Sequence, residues 1–157
     1  MGRVHLRAHG AVPPERFVAA LTDFGPGREQ TWGDSDPRHL VIHQRGDAWA
    51  EVTEGSGAGG VWQRLRYDWS APDVVTLDVL DSNAFGPGSR WTYRVESDGA
   101  GGCHVDLTIV RVPTTPKGRA LDLLLRLGGR AYFARDLRRS LRRLETRVRQ
   151  PGRTSGS

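Results

Sequence analysis

The chain has 157 residues, 37% hydrophobic and 26% charged, which suits one globular domain with its own core and excludes a disordered chain. Its one cysteine, Cys103, excludes an internal disulfide; the longest apolar run, near Leu121 to Leu127, is broken by Asp122 and Arg126 and is too short to span a bilayer. The net charge of +5 is uneven: residues 1–115 hold 11 basic and 15 acidic side chains, a net of −4, and residues 116–157 hold 12 and 3, a net of +9.

Residues 3–12 alternate. Val4, Leu6, Ala8 and Val12 face one way and His5, Arg7 and His9 the other, the period of a half-buried strand. Pro13 and Pro14 stop it and open a helix carrying Phe17, Ala20, Leu21 and Phe24, closed by Gly25-Pro26-Gly27. A second short helix is predicted within 28–37, around Trp32. Six strands follow, at 39–45, 48–54, 61–69, 74–82, 89–96 and 103–112, separated by short turns rich in Gly, Asp, Ser and Asn. Consecutive strands on short turns make an antiparallel meander. Pro113 and Pro116 end the last strand, and 117–149 form a long Leu- and Arg-rich helix with Gly128-Gly129 as a kink point. The expected organisation is one α+β domain over 1–149, a curved seven-stranded antiparallel sheet around a C-terminal helix, and a disordered tail at 150–157.

Charge pairing orients the sheet. Pairing Glu51 with Arg64, Arg66 with Asp78, Arg94 with Asp106 and Glu96 with His104 defines one charged outer face. The same parity turns Ala50, Val52, Leu65, Tyr67, Trp69, Val75, Leu77 and Val79 inward, together with Trp91, Tyr93, Val95, Val105, Leu107 and Ile109. The strand at 39–45 leaves two choices, Val41 with His43 or Leu40 with Ile42. Four inward rings with polar handles, Tyr67, Trp69, Trp91 and Tyr93, suit a ligand cavity of a few hundred Å3; a core filled with large side chains is the alternative. The candidate ligand-binding set is Tyr67, Trp69, Trp91, Tyr93, Leu65, Val79, Arg111 and Leu124. Gln63, Asp81 and Arg111 share the inward parity, which suits either polar anchors at the ends of the cavity or, more commonly for each taken alone, strand-end residues reaching solvent. On the helix, Leu123, Leu127, Ala134, Leu137, Leu141 and Leu144 are expected to face the sheet, leaving Arg126, Arg130, Arg138, Arg142 and Arg149 on other faces.

Several stretches resemble the START-like superfamily, also called SRPBCC: Ala19-Ala20-Leu21-Thr22-Asp23-Phe24, then Asp47-Ala48-Trp49-Ala50-Glu51-Val52-Thr53-Glu54-Gly55. Arg66-Tyr67-Asp68-Trp69, Asp81-Ser82-Asn83 and Lys117-Gly118-Arg119 before a Leu/Arg helix extend the resemblance over residues 3–148, and it is nearest to bacterial proteins of the polyketide cyclase/dehydrase-type branch. The resemblance implies a helix-grip fold with a hydrophobic cavity between sheet and C-terminal helix, binding lipids, polyketides, hormones or quinones, with cyclisation or aromatisation in some members. It carries no universal catalytic motif, so no catalytic residue is assigned and the enzyme question stays open.

Other chemistry finds little support. Gly55, Gly57 and Gly60 match G-x-G-x-x-G but sit between two strands, without the helix that would meet a phosphate. His5 and His9 lie about 13 Å apart on a strand, too far to share an ion, and His39 and His43 repeat the problem. No metal and no cofactor are expected. The N-terminal residues lack a secretory h-region and, with the single cysteine, point to a cytoplasmic protein. The expected partner is a hydrophobic small molecule. The second function class is an interaction module whose Arg-rich helix binds nucleic acid, an anionic membrane or an acidic protein. Because Lys117 is the lone lysine, the arginines read as a compositional habit and as the solvated face of a helix, which disfavours nucleic acid and leaves peripheral membrane contact open.

Overall fold

The computed structural model describes residues 2–33, 35–56 and 60–150. The chain forms β1 (Gly2–Gly10), α1 (Pro14–Leu21), a single turn α2 (Arg28–Thr31), then β2 (Val41–Arg45), β3 (Trp49–Gly55), β4 (Trp62–Asp68), β5 (Val74–Ser82), β6 (Arg90–Ser97) and β7 (Cys103–Arg111), and finally α3 (Pro116–Arg149). The sheet order is β1-β7-β6-β5-β4-β3-β2, with every described pairing antiparallel. This is the helix-grip architecture, with three helices gathered on the concave side. No helix among the described residues is long and apolar enough to cross a membrane. The predicted tail beyond Gln150 and the residue Gly57 of the glycine motif lie outside the described residues.

Strict alternation decides the face of each strand. In β1 and β7 every second residue is buried, because the pleat sends successive side chains to opposite faces. Arg66 pairs with Asp78, Arg94 with Asp106 and Glu96 with His104, as the charges predict. Glu51 instead faces Arg66, and Arg64 faces Thr53. The slip is two residues, so every side chain keeps its face. The hairpin closes on Ser56 N–H to Val61 O at 3.0 Å, and Glu51 still reaches Arg64 at 3.2 Å and Arg66 at 3.3 Å. In β2, Ile42 pairs with the inward Val52, yet Ile42 stays 45% exposed because β2 is the sheet edge, beyond the reach of the helix.

α3 starts on Thr115, whose hydroxyl accepts from Gly118 N–H at 3.1 Å and donates to Asn83 O at 3.0 Å. Asn83 and Lys117 both donate to Gly60 O at 2.7 Å. The segments 81–83 and 117–119 thus form one junction between the β5–β6 connection and the helix. A Cβ on Gly118 would overlap Ala84 O, so no other residue fits there. The helix runs unbroken through Gly128-Gly129 to Arg149.

Its inward stripe differs from expectation in the first half. Leu123 and Leu127 are 62% and 83% exposed, and Gly118, Asp122 and Gly129 are buried instead. The reason is an ion pair. Asp122 accepts from Arg111 Nε at 3.1 Å and from Arg126 Nε at 3.0 Å, and Arg111 and Asp122 are both almost wholly buried. Turning Asp122 inward rotates its leucine neighbours out. From Leu137 onward the expected residues Leu137, Leu141 and Leu144 are buried.

Removing one partner of a buried pair strands the other charge. Asp122→Ala is expected to lower the unfolding free energy by about 3–5 kcal/mol, read by urea denaturation, whereas the double change Arg111→Met with Asp122→Leu costs much less than that.

Candidate functional site

A cavity of about 500 Å3 lies between the sheet and α3. The sheet supplies Leu65 and Tyr67 from β4, Leu77 from β5, Trp91 and Tyr93 from β6, and Leu107 and Ile109 from β7. α3 supplies Leu121, Leu125, Phe133 and Leu137, and Leu21, Trp32 and Phe85 close the remaining sides. The wall is mainly apolar, as small-molecule sites are.

One end is polar and tightly wired. Arg28, 6% exposed, donates from Nε to Glu54 at 2.7 Å, from Nη1 to Leu21 O at 2.8 Å and Asp23 O at 2.9 Å, and from Nη2 to Tyr67 Oη at 3.1 Å. Tyr67 in turn donates to the other Glu54 oxygen in a short hydrogen bond. Ser35 approaches Glu54 at 3.5 Å. The guanidinium also stacks 4.7 Å above Phe24. Burial opposes the charge on Arg28, but Tyr67 and Glu54 more than offset it and raise its pKa. Burial pushes the Tyr67 phenol well above its usual 10.0, and the Glu54 carboxylate adds to that. Tyr67 is therefore a neutral hydroxyl at physiological pH, held between the Arg28 guanidinium and the Glu54 carboxyl group.

The sequence-predicted residues divide. Leu65, Tyr67, Trp91 and Tyr93 border the cavity. Trp69, Val79, Arg111 and Leu124 do not. The cavity meets β4 at Gln63, Leu65 and Tyr67, and Trp69 lies past the end of that strand, bonded through its N–H to Ala48 O at 2.9 Å. Val79 is 2% exposed and packs in the core. Arg111 serves the ion pair with Asp122. Leu124 is 64% exposed, turned out by the helix phase, and Leu121 and Leu125 take the place assigned to it. Among the predicted anchors Gln63 borders the cavity. Asp81 is exposed and pairs with Arg64, because the irregularity between Arg64 and Leu65 shifts the parity of β5 beyond Val79.

Sequence reasoning missed Arg28, Glu54, Trp32 and Phe133. Glu54 shares the inward parity of Ala50 and Val52, a readable signal of a charge aimed at the core. Arg28 sits in a single helical turn with no periodicity to orient it. Elsewhere, burial pushes the Cys103 thiol up to about 11, helped by Asp98, Glu145 and Glu15, so it is no nucleophile. No group of three or more metal-ligating side chains occurs among the described residues.

The family described as polyketide cyclase/dehydrase and lipid transport matches residues 1–149, and the chain belongs to that family. Among solved structures, the Zhui aromatase/cyclase from Streptomyces sp. R1128 is similar at 19% identity, covering 96% of this chain and 97% of that one, with a TM-score of 0.77. A protein from Thermus thermophilus is 20% identical, covering 96% and 99%, with a TM-score of 0.71. A START superfamily protein from Mycobacterium smegmatis is 12% identical, covering 97% and 100%, with a TM-score of 0.66. At these identities the likeness is one of fold. No curated protein matches the sequence.

Tyr67 makes stability depend on pH with a defined sign. A group whose pKa is raised by folding stabilises fully below its unfolded value and loses that contribution as pH climbs through its folded value. Tyr67→Phe is expected to cost about 1–3 kcal/mol at neutral pH, because Arg28 and Glu54 lose a buried partner. Chemical denaturation across pH is expected to show the gap between wild type and variant narrowing above pH about 10.

Proposed function

We propose that the protein binds an apolar small molecule, lipid-, polyketide- or quinone-like, in the cavity between sheet and α3, with an oxygen of that molecule at the Arg28–Glu54–Tyr67 end. The observation that carries this reading is a buried polar trio at one end of a mainly apolar chamber. Buried polar groups are normally satisfied, and here each serves the others. Of the five N–H donors of a guanidinium, four are taken by Glu54, Leu21 O, Asp23 O and Tyr67. Among the described residues one Nη2 N–H has no acceptor, which leaves it for the occupant. A carbonyl or phenol oxygen fits that demand, and the rings of Trp91, Tyr93 and Phe133 fit a flat, conjugated body.

The family's link to cyclases and dehydrases supports a second step for the same site. The buried guanidinium of Arg28 would polarise a bound carbonyl while the chamber holds a flexible chain folded, so that positioning supplies most of the rate. Binding comes first, and such chemistry depends on it.

The test uses 2-naphthol, with naphthalene as the partner lacking oxygen. 2-Naphthol is expected to raise the melting temperature, since it binds only the folded state, and to quench tryptophan fluorescence. Trp91→Ala weakens both ligands. Glu54→Gln removes the preference for 2-naphthol but keeps naphthalene. Trp62→Ala, on the outer face, changes neither. Equal responses from wild type and Trp91→Ala would place the ligand elsewhere and end this reading.

A further inference from the structure

The first half of α3 is amphipathic twice over. Its inner face borders the cavity. Its outer face is apolar as well, with Leu123, Leu124 and Leu127 at 62%, 64% and 83% exposed and Ala120 and Ala131 exposed beside them. At 3.6 residues per turn these five fall within a sector about 100° wide, with no charged residue of that half inside it. Arg119, Arg126 and Arg130 line one border of the sector, and Lys117 and Arg135 the other. All five cations are exposed. Of the acids of the helix, Asp122 is buried against Arg111 and holds Arg126 by its Nε at 3.0 Å, Asp136 borders the cavity, and Glu145 accepts from Ala11 N–H at 2.8 Å. Arg126 is thus anchored at the rim, and among the described residues the other four rim cations form no ion pair with an acid of this helix. A contiguous apolar strip with a cationic rim on both sides is not the ordinary scatter of surface leucines.

We propose that this strip is a docking surface for an anionic lipid bilayer, with the leucines entering the acyl boundary and the arginines meeting the headgroups. The chemistry is that of helices lying in the plane of an interface, whose apolar face is flanked by Arg and Lys. Charge decides against a second copy of the chain, because two-fold apposition would set one cationic rim against another. Continuity with the cavity favours a bilayer over an acidic protein. Gly128 stands at the edge of the strip with open space where its side chain would be. Past it lie Leu121, Leu125 and the half-exposed Tyr132, all on the border of the cavity. Apolar surface therefore runs from the outer strip to the mouth of the chamber. An apolar molecule leaving a bilayer at this helix would not have to cross water. The docking itself does not depend on what the chamber holds.

The test is cosedimentation of the full chain with vesicles of phosphatidylglycerol and phosphatidylcholine, against vesicles of phosphatidylcholine alone. Binding to the anionic vesicles is expected to be at least about tenfold stronger and to weaken as salt screens the arginines. Leu127→Glu is expected to abolish it while leaving the melting temperature and 2-naphthol binding unchanged, which separates this proposal from the ligand reading. A Leu127→Cys variant carrying a polarity-sensitive fluorophore supplies an independent readout, since Cys103 is buried and does not compete for label. Its emission shifts to the blue on anionic vesicles. No difference between the two vesicle types, or no shift, overturns the proposal. So does a dimer in light scattering that Leu127→Glu dissolves, which would make the strip a self-association face. Binding to soluble polyglutamate as tight as to anionic vesicles would assign it to an acidic protein instead.

Discussion

α3 is held to the sheet at two places, and the space between them is the cavity. At its start, Gly118 lies so close to Ala84 O that only hydrogen fits, and the buried Arg111–Asp122 pair fixes the rotation of the helix. Further along, Leu141 approaches Gly10 of β1, where a Cβ would come within 2.7 Å of the leucine. Backbone and helix meet closely at both places because glycine removes a side chain. Between them the sheet presents Trp91, Tyr93 and Tyr67, and the helix presents Phe133 and Leu125. The void is thus a consequence of where the helix is pinned.

The same constraint explains the polar end. α2 is one turn long and is tied down from outside by α3, with Arg147 donating to Thr31 Oγ1 at 2.7 Å and to Gln30 Oε1 at 2.9 Å. Arg28, on that turn, is thereby aimed inward at Glu54 of β3 and Tyr67 of β4. Part of the arginine content of α3 therefore ties α2 to the helix at the surface. The rest lies on the surface too, and in the first half of the helix it borders leucines.

Strand order, strand faces and the extent of α3 were legible because a period of two and repeated charge pairs constrain each other across neighbouring strands. Even a two-residue slip at Glu51 left the faces correct. The phase of the first half of the helix was not legible. Leucines at 123, 124 and 127 outnumber the inward leucines of that half, Leu121 and Leu125, and hydrophobicity alone points the wrong side to the sheet. Only the long-range partner of Asp122, Arg111, sets the rotation, and nothing local links them. Asp81 reaches solvent, the commoner of its two readings, because one irregular residue in β5 reverses parity without a mark in the sequence. Arg28 escaped because a single turn has no period. Glu54 was within reach: a carboxylate at inward parity beside Val52 asks for a partner, and Tyr67 and Arg28 are that partner.

The most direct test of an occupied chamber is native mass spectrometry of the protein purified from its own host, comparing wild type with a Leu107→Trp variant that fills the chamber from the sheet side. Wild type is expected to show a population carrying one additional small organic molecule, lost on mild unfolding and missing from the filled variant. Identical spectra from the two proteins would contradict a ligand held between sheet and helix.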